Sequence, residues 1–313
     1  MTISFKKHSL IAIVTFLLLD IHIKPVFSIS PPSLLLAQNS RQIALESLNQ
    51  GLQAIQGGKI EDAIAAFRQA TKLDPTLAPA HYNLGLALRQ AGQLQPAADA
   101  FYQATQADPQ FAPAFANLGG ALLEGSNLQL AIEYLQLALK LDPQLGFAHY
   151  NLGLVKEIQR DWNGAIASFQ AAIKYSPNSP ESAYHLGISY LQTGKIEPAK
   201  AAFNQAITIN PRYAEAYYNI GLILYKQGKF NQALDAFRKS VDAKSNYADA
   251  YYGAGLIFVQ NKQYTEAIKV LEYAKNLYQK QGKTQWVSNA EKLLTQTQIL
   301  DKNLNNKLNN KPH

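Results

Sequence analysis

The amino-acid sequence predicts an all-α solenoid, a stack of helix–turn–helix repeats, and three observations support this. A segment ending in glycine recurs along the chain at multiples of 34 residues. Alanine and one large apolar residue recur at fixed distances from that glycine. Prolines follow at the same spacing, where they are expected to end a helix. A period of this length is typical of helix pairs that bury a core only by stacking on their neighbours.

The recurring segments set the register of the repeats. Four of them are His81-Tyr-Asn-Leu-Gly85, Phe115-Ala-Asn-Leu-Gly119, His149-Tyr-Asn-Leu-Gly153 and Tyr217-Tyr-Asn-Ile-Gly221. Starting the first repeat at Ala44 places every such glycine at repeat position 8. The predicted repeats are 44–77, 78–111, 112–145, 146–179, 180–213, 214–247 and 248–281.

Small residues at two repeat positions predict close helix packing. Position 8 is Gly51, Gly85, Gly119, Gly153, Gly187, Gly221 and Gly255. Position 20 is Ala63, Ala97, Ala131, Ala165, Ala199, Ala233 and Ala267. A glycine inside a helix costs roughly 1 kcal/mol relative to alanine, so seven in register require a compensating gain in packing.

Larger residues at three other positions predict the core and the helix ends. Position 24 is suited to filling the space toward the next repeat, and it is Phe67, Phe101, Leu135, Phe169, Phe203, Phe237 and Leu271. Position 17 opens the second helix with Ile60, Leu94, Leu128, Trp162, Ile196, Phe230 and Tyr264. Position 32 ends that helix with Pro75, Pro109, Pro143, Pro177 and Pro211 in the first five repeats.

The C-terminal end departs from this pattern. Gly253 and Ala254 replace larger residues in repeat 7, and Gln279 replaces the proline. A capping helix is expected within 282–300, where Trp286, Ala290, Leu293 and Leu294 cover the end of the core. Residues 301–313 are rich in Asn and Lys and are expected to be disordered.

With these positions in register, residues 44–281 resemble the tetratricopeptide repeat (TPR) family. The resemblance implies a right-handed superhelix of seven repeats, in which the first helix of each repeat lines a concave groove. It also implies a protein or peptide partner.

Composition excludes several classes of function. The chain of 313 residues has a net charge of +7 and no cysteine, so disulfides and thiolate metal sites are excluded. Residues 38–255 hold 17 Lys/Arg and 17 Asp/Glu, and this neutral body argues against a nucleic-acid partner. No catalytic or cofactor-binding motif is present, so we expect a non-enzyme without cofactor or metal. His81 and His149 are interpreted as packing residues, and His185 as a surface contact of Glu181.

The N-terminus is typical of a secretory signal segment. Lys6 and Lys7 precede the apolar run Leu10–Leu19, which is too short to span a bilayer as a helix. Residues 1–37 are therefore interpreted as an export segment and linker, cleaved near 28 or 37, which directs the chain to a periplasm or an equivalent lumen. A buried N-terminal helix or an uncleaved anchor, which would be the only contact with the membrane, is the alternative.

Two further positions indicate what the groove binds. Position 6 is Asn49, Asn83, Asn117, Asn151, His185 and Asn219, then Gly253, and this stripe is expected to face solvent. Position 5 carries Tyr82, Tyr150, Tyr184, Tyr218 and Tyr252. The Asn series resembles the asparagine ladder in the repeat domain of protein O-GlcNAc transferases, which implies that it holds an extended polypeptide by its backbone. The alternatives are helix-surface hydrogen bonds for the Asn series and packing for the Tyr series.

Three functions compete at this point. The first is an adaptor that binds extended polypeptide along the groove. The second is a structural assembly factor that holds folded subunits, which an apolar patch on the convex face would favour. The third is a regulatory subunit of an exported enzyme. Acidic residues at position 2 of the last three repeats, Glu181, Glu215 and Asp249, favour neutral or basic ligands in the C-terminal half of the groove.

The export hypothesis predicts a processed N-terminus. N-terminal sequencing of the mature protein is expected to begin near Ile29 or Gln38, because signal peptidase removes such a segment. Soluble cytosolic protein that retains Met1 would contradict export.

Overall fold

A computed structural model describes the backbone of residues 32–309 and the side chains of residues 38–306. This part of the chain is all-helical and contains no strand. The helices are α1 Pro32–Gln56, α2 Ile60–Leu73, α3 Ala78–Gln90, α4 Leu94–Ala107, α5 Ala112–Glu124, α6 Leu128–Leu141, α7 Gly146–Ile158, α8 Trp162–Tyr175, α9 Pro180–Gln192, α10 Ile196–Ile209, α11 Ala214–Lys226, α12 Phe230–Ala243, α13 Ala248–Gln260, α14 Tyr264–Lys280 and α15 Thr284–Asn309.

The first fourteen helices form seven antiparallel pairs in the predicted register. From repeat 2 onward the first helix of each pair spans repeat positions 1–13, and every second helix begins at position 17. The five prolines at position 32 each follow a second helix by two residues, as with Pro75 after Leu73. The tetratricopeptide-type solenoid expected from the sequence is therefore confirmed.

The glycine at position 8 lies directly against the side chain at position 24 of its own repeat. A Cβ atom added to Gly153 would lie 2.5 Å from the nearest ring atom of Phe169, and the other six glycines show the same overlap. The aromatic or leucine side chain thus occupies the space that glycine leaves, which explains the seven costly glycines. The ring of Phe169 also stacks on His185 of the next repeat, with 5.5 Å between ring centroids. The side chain at position 24 therefore contacts the first helix of its own repeat and also the next repeat.

The curvature of the array places the first helices on its inner side. The first helices of neighbouring repeats contact one another directly, as α5 does with α7 and α11 with α13. Contacts between the second helices of neighbouring repeats are sparser, so these helices diverge on the outer side. The side chains of the first helices therefore form the concave wall.

A turn position that the sequence analysis did not single out has a left-handed backbone in every repeat. Position 15 has positive φ both where it is glycine, as in Gly92, and where it is Ser126, Arg160 or Lys262. Glycine adopts this conformation without the steric cost that a Cβ atom brings. Four of the seven repeats carry glycine there, which is the signal that could have located the turn.

Both ends of the array differ from the sequence-based expectation. Helix α1 begins at Pro32, so residues 32–37, expected as part of a linker, belong to the first repeat helix. Helix α15 runs to Asn309, so residues 301–309 are helical rather than disordered, since no glycine or proline interrupts the chain after Gly282 before Pro312. The predicted signal run Leu10–Leu19 and the first cleavage site lie outside the described residues. Within 32–309, no helix has the length and apolar character needed to cross a membrane.

The glycine–aromatic contact predicts that alanine destabilises the repeat at this position, although alanine is ordinarily a better helix former than glycine. Gly153→Ala is expected to lower the free energy of unfolding by about 1–3 kcal/mol, because the new methyl group overlaps the Phe169 ring. The matched control is Gly57→Ala, whose added Cβ would lie 3.5 Å from the nearest atom. Denaturant unfolding of both variants measures the difference. Equal stability of the two variants would contradict the packing described here.

Candidate peptide-binding groove

The position-6 residues lie on the first helices, but several are more buried than the sequence analysis expected. Asn117 is 7% exposed and Asn219 is 9% exposed, and Gly253 is also buried. Asn83, Asn151 and His185 are half-buried, and only Asn49 is fully on the surface. The expectation of a uniformly solvent-facing stripe is therefore wrong, because the preceding repeat covers part of this position.

The buried asparagines use their amide hydrogens inside the protein. Asn117 donates from Nδ2 to the hydroxyl of Tyr82 at 3.1 Å and to the carbonyl of Pro113 at 3.0 Å. Asn219 donates to the carbonyl of Glu215 at 2.8 Å and, more weakly, to the hydroxyl of Tyr184 at 3.5 Å. An amide group has two donors and one acceptor oxygen. What remains for a ligand at these two sites is the side-chain oxygen.

The remaining asparagines retain more hydrogen-bonding capacity. Asn83 donates once, to the carbonyl of Pro79 at 2.7 Å. Asn151 makes no hydrogen bond with the described residues, and its amide lies against Gly120, where an added Cβ would be 3.0 Å from Nδ2. The position-6 asparagines, the rungs of the proposed ladder, thus differ in the number of free donors. Asn83 and Asn151 have the most free donors in the central repeats.

The position-5 tyrosines pack through their rings. Tyr82, Tyr150, Tyr184 and Tyr218 each lie 5.7–5.9 Å, between centroids, from the phenylalanine at position 24 of the same repeat. Tyr252 instead contacts Trp286 of the C-terminal helix at 5.8 Å. Burial, with carboxylates nearby, raises the pKa of Tyr184 and that of Tyr218 to about 12. The first four rings therefore pack against the core of their own repeats, and the exposed part of each side chain borders the groove.

His185 replaces asparagine in repeat 5 and forms a different cluster. Its Nδ1 lies 2.8 Å from Oε2 of Glu157 in the preceding repeat, so the expected partner Glu181 is incorrect. The side chain at position 6 points toward the first helix of the preceding repeat rather than along its own helix. The hydroxyl of Ser189 donates to the other oxygen of Glu157 at 3.0 Å.

The other two repeat histidines are structural. His81 donates from Nε2 to the carbonyl of Pro75, and His149 donates in the same way to Pro143, both at 2.9 Å. The interpretation of both as packing residues is consistent with these bonds. Within the described residues, no group of three or more acidic or histidine side chains is arranged to hold a metal ion.

The C-terminal half of the groove is acidic and aromatic. Two tyrosines at position 34, Tyr213 and Tyr247, pack beside the position-5 tyrosines of their own repeats, with centroids 5.2 and 5.4 Å apart. Burial raises the pKa of both hydroxyls, and Glu215 contributes to each. The sequence analysis missed these two residues. The sequence pattern that could have identified them is the large residue at position 34, which is Leu77, Phe111, Leu145, Tyr213 and Tyr247.

The hydrogen bonds of Asn117 predict that this residue stabilises the fold. Asn117→Ala is expected to lower the free energy of unfolding by about 1–2 kcal/mol, because two hydrogen bonds of a buried group are lost. The control Asn49→Ala, at the same position on the exposed end of the array, is expected to stay within about 0.5 kcal/mol of wild type. A double-mutant cycle with Tyr82→Phe isolates the bond between repeats. Zero coupling between Tyr82 and Asn117 would contradict it.

Comparisons with solved structures agree with the architecture. A chain of the APC/C hetero-tetramer Cut9-Hcn1 matches with a TM-score of 0.61 and 22% identity over 72% of this chain, which spans 45% of that chain. PilF of Pseudomonas aeruginosa matches with a TM-score of 0.59 and 20% identity, covering 68% and 96% of the two chains. A tetratricopeptide repeat protein from Parabacteroides merdae matches with a TM-score of 0.57 and 19% identity, covering 82% and 99%. Identities this low establish the shared fold alone.

Family comparisons cover most of the chain. The comparison with curated proteins found no match. A TPR repeat model matches residues 51–90, 158–194 and 189–228. Two tetratricopeptide repeat models match residues 104–145 and 218–281, and 78–111. The fold, the repeat register and these matches agree, and the chain belongs to the tetratricopeptide repeat family.

Proposed function

We propose that this protein is a non-catalytic scaffold that binds an extended polypeptide segment along its concave groove. As a tetratricopeptide repeat solenoid it has the general character of a protein–protein interaction scaffold. The proposal of an extended polypeptide ligand rests on the residues of the inner wall. Amide groups and tyrosines recur there at the repeat spacing, and the position-5 tyrosines, Asn83 and Asn151 remain partly exposed.

The spacing of the wall suits an extended chain. Neighbouring first helices pack about 10 Å apart, and an extended polypeptide advances about 3.3 Å per residue, so one rung would serve every third ligand residue. The free donors of Asn83 and Asn151 can meet ligand carbonyls. The side-chain oxygens of Asn117 and Asn219 can accept ligand N–H groups. The internal bonds of the buried asparagines hold these acceptors in a defined orientation.

A catalytic role has little support in the described residues. Glu157, His185 and Ser189 lie together, but the serine hydroxyl donates to the carboxylate and to the carbonyl of His185 rather than to the imidazole. A serine nucleophile needs a base positioned to take its proton. We therefore interpret this cluster as a contact between repeats 4 and 5.

Export belongs to the same proposal. The tripartite order of Lys6, Lys7 and the run Leu10–Leu19 is the reason for placing the scaffold in a periplasm or an equivalent lumen. Its partner there would be another exported protein or the exposed segment of one.

A second candidate function is the assembly of folded subunits through the outer face, and an apolar pocket favours it. Ala254 stands where repeats 2 to 6 carry leucine or isoleucine, and beside it lies a pocket of about 460 Å³. Leu234, Val241, Phe258 and Val270 line it. The pocket would accept an apolar side chain of a folded partner, including an exported enzyme that this protein regulates. Cross-links to a partner that map to α12 and α14 rather than to the first helices would support this alternative.

Binding to the groove predicts a loss of affinity when the free amides are removed. Crosslinking of the purified exported protein, read by mass spectrometry, provides a ligand segment. The double variant Asn83→Ala/Asn151→Ala is expected to weaken binding of that segment by about five- to 150-fold, because each lost rung contributes about 0.5–1.5 kcal/mol. Titration followed by fluorescence anisotropy measures the change.

The control for this experiment is Gln136→Ala, an exposed position on the second helix of repeat 3. It is expected to bind like wild type, and circular dichroism establishes that both variants are folded. N-methylation of ligand amides is expected to weaken binding more than scrambling of ligand side chains. Unchanged affinity of the folded double variant would place recognition on another surface.

A further inference from the structure

The chain holds one of its own lysines between a carboxylate and a tyrosine ring. In repeat 6, Nζ of Lys244 lies 3.2 Å from Oε1 of Glu215 and 5.5 Å from the ring centroid of Tyr247. These residues occupy repeat positions 31, 2 and 34. An ion pair combined with a cation–π contact is a general arrangement for holding an ammonium or guanidinium group.

A similar arrangement occurs at the end of the array. Nζ of Lys283 lies 3.5 Å from Oδ2 of Asp249, which is position 2 of repeat 7, and 5.6 Å from the ring centroid of Tyr278. The acidic residue at position 2 is therefore paired with an internal lysine and a tyrosine in both of the last two repeats. In repeat 7 the ring stands at position 31 and the lysine follows the repeat, so the carboxylate at position 2 is the feature that holds a cation in both cases.

Repeat 5 has the carboxylate and the ring but lacks the lysine. Glu181 occupies position 2 and Tyr213 position 34, while position 31 is Asn210. The side chain of Asn210 is used in the turn, where Oδ1 accepts the backbone N–H of Arg212 at 3.0 Å. Glu181 is exposed and makes no ion pair with the described residues, including Arg212.

Two carboxylates act on this corner, Glu181 and Glu215, of which Glu215 is paired with Lys244. Burial raises the pKa of the Tyr213 hydroxyl, and Glu181 and Glu215 raise it further. Tyr184 packs against Tyr213 with 5.2 Å between centroids, and burial and Glu215 raise its pKa as well. Repeats 2 to 4 carry Pro79, Pro113 and Phe147 at position 2, so the first half of the groove lacks this combination.

We propose that Glu181, Tyr213 and Tyr184 form a binding slot for a lysine or arginine side chain of a partner polypeptide, held as Lys244 is held in the next repeat. The inference rests on the proposed groove and adds the chemistry of its ligand. The partner segment carries a basic residue where it passes repeat 5, since Glu215 and Asp249 further along the wall already hold internal lysines.

Three blocked, fluorescently labelled decapeptides test the slot on the full-length protein. One alternates arginine with glycine and serine, one is neutral, and one replaces arginine with glutamate. The cationic peptide is expected to bind most tightly and to weaken as salt is raised, since ionic attraction is screened. Glu181→Gln is expected to weaken it about two- to fivefold, the effect of losing one exposed ion pair while the Tyr213 ring remains. The control Glu197→Gln removes an exposed carboxylate from the second helix of the same repeat and is expected to leave affinity unchanged.

Two reciprocal substitutions sharpen the test. Asn210→Lys supplies repeat 5 with the internal lysine of repeat 6 and is expected to reduce binding of the cationic peptide as much as Glu181→Gln does. Lys244→Asn exposes the equivalent corner of repeat 6 and is expected to strengthen binding. Lysine at this position is compatible with the turn, because the backbone carbonyl of Lys244 accepts the N–H of Tyr247 at 3.0 Å, as that of Asn210 accepts the N–H of Tyr213.

The outcomes separate the slot from the groove. Equal effects of Glu181→Gln and Glu197→Gln on the cationic peptide would overturn the slot. Binding of the cationic peptide with no response to Glu181→Gln, but with loss in Asn83→Ala/Asn151→Ala, would leave the groove intact and overturn the slot alone. A failure of all three peptides to bind would count against the slot and the groove together.

Discussion

The contact between the glycine at position 8 and the side chain at position 24 determines how the two helices of each repeat approach. A methyl group at Gly153 would overlap the ring of Phe169, so the helix separation depends on the absence of a side chain. The same contact recurs with Phe or Leu in all seven repeats, so the two helices of each repeat pack in the same way. A solenoid needs this uniformity because each repeat contacts only its neighbours.

The groove inherits its chemistry from that packing. Because Phe169 spans two repeats, the residues around it at positions 5 and 6 belong partly to the core and partly to the surface. Asn117 bonds to Tyr82 of the preceding repeat, so one side chain both joins repeats and offers an acceptor to the groove. The proposed function therefore couples stability and recognition at these positions, where a substitution can affect either.

The repeats differ in local chemistry where single residues depart from the pattern of their neighbours. Lys244, the one lysine at position 31, pairs with Glu215 in repeat 6, whereas Asn210 at the same position of repeat 5 leaves Glu181 without an internal cation. Ala254, where repeats 2 to 6 carry leucine or isoleucine, lines an apolar pocket together with residues of α12 and α14. In a repeat protein the shared residues build the scaffold, and such departures are where binding specificity is expected.

The sequence by itself determined the fold class, the boundaries of the repeats and the positions of nearly all the helices, because a strict period reports which residues must pack together. It also identified the glycine and alanine positions as sites of close approach. Only the tertiary structure decided how the groove residues are used. The burial of Asn117 and Asn219, the pairing of His185 with Glu157, and the packing of Tyr213 against Tyr184 all involve contacts between separate helices. Periodicity assigns a residue to a face of its helix, but the neighbouring repeat decides whether that face is covered and which partner the side chain meets.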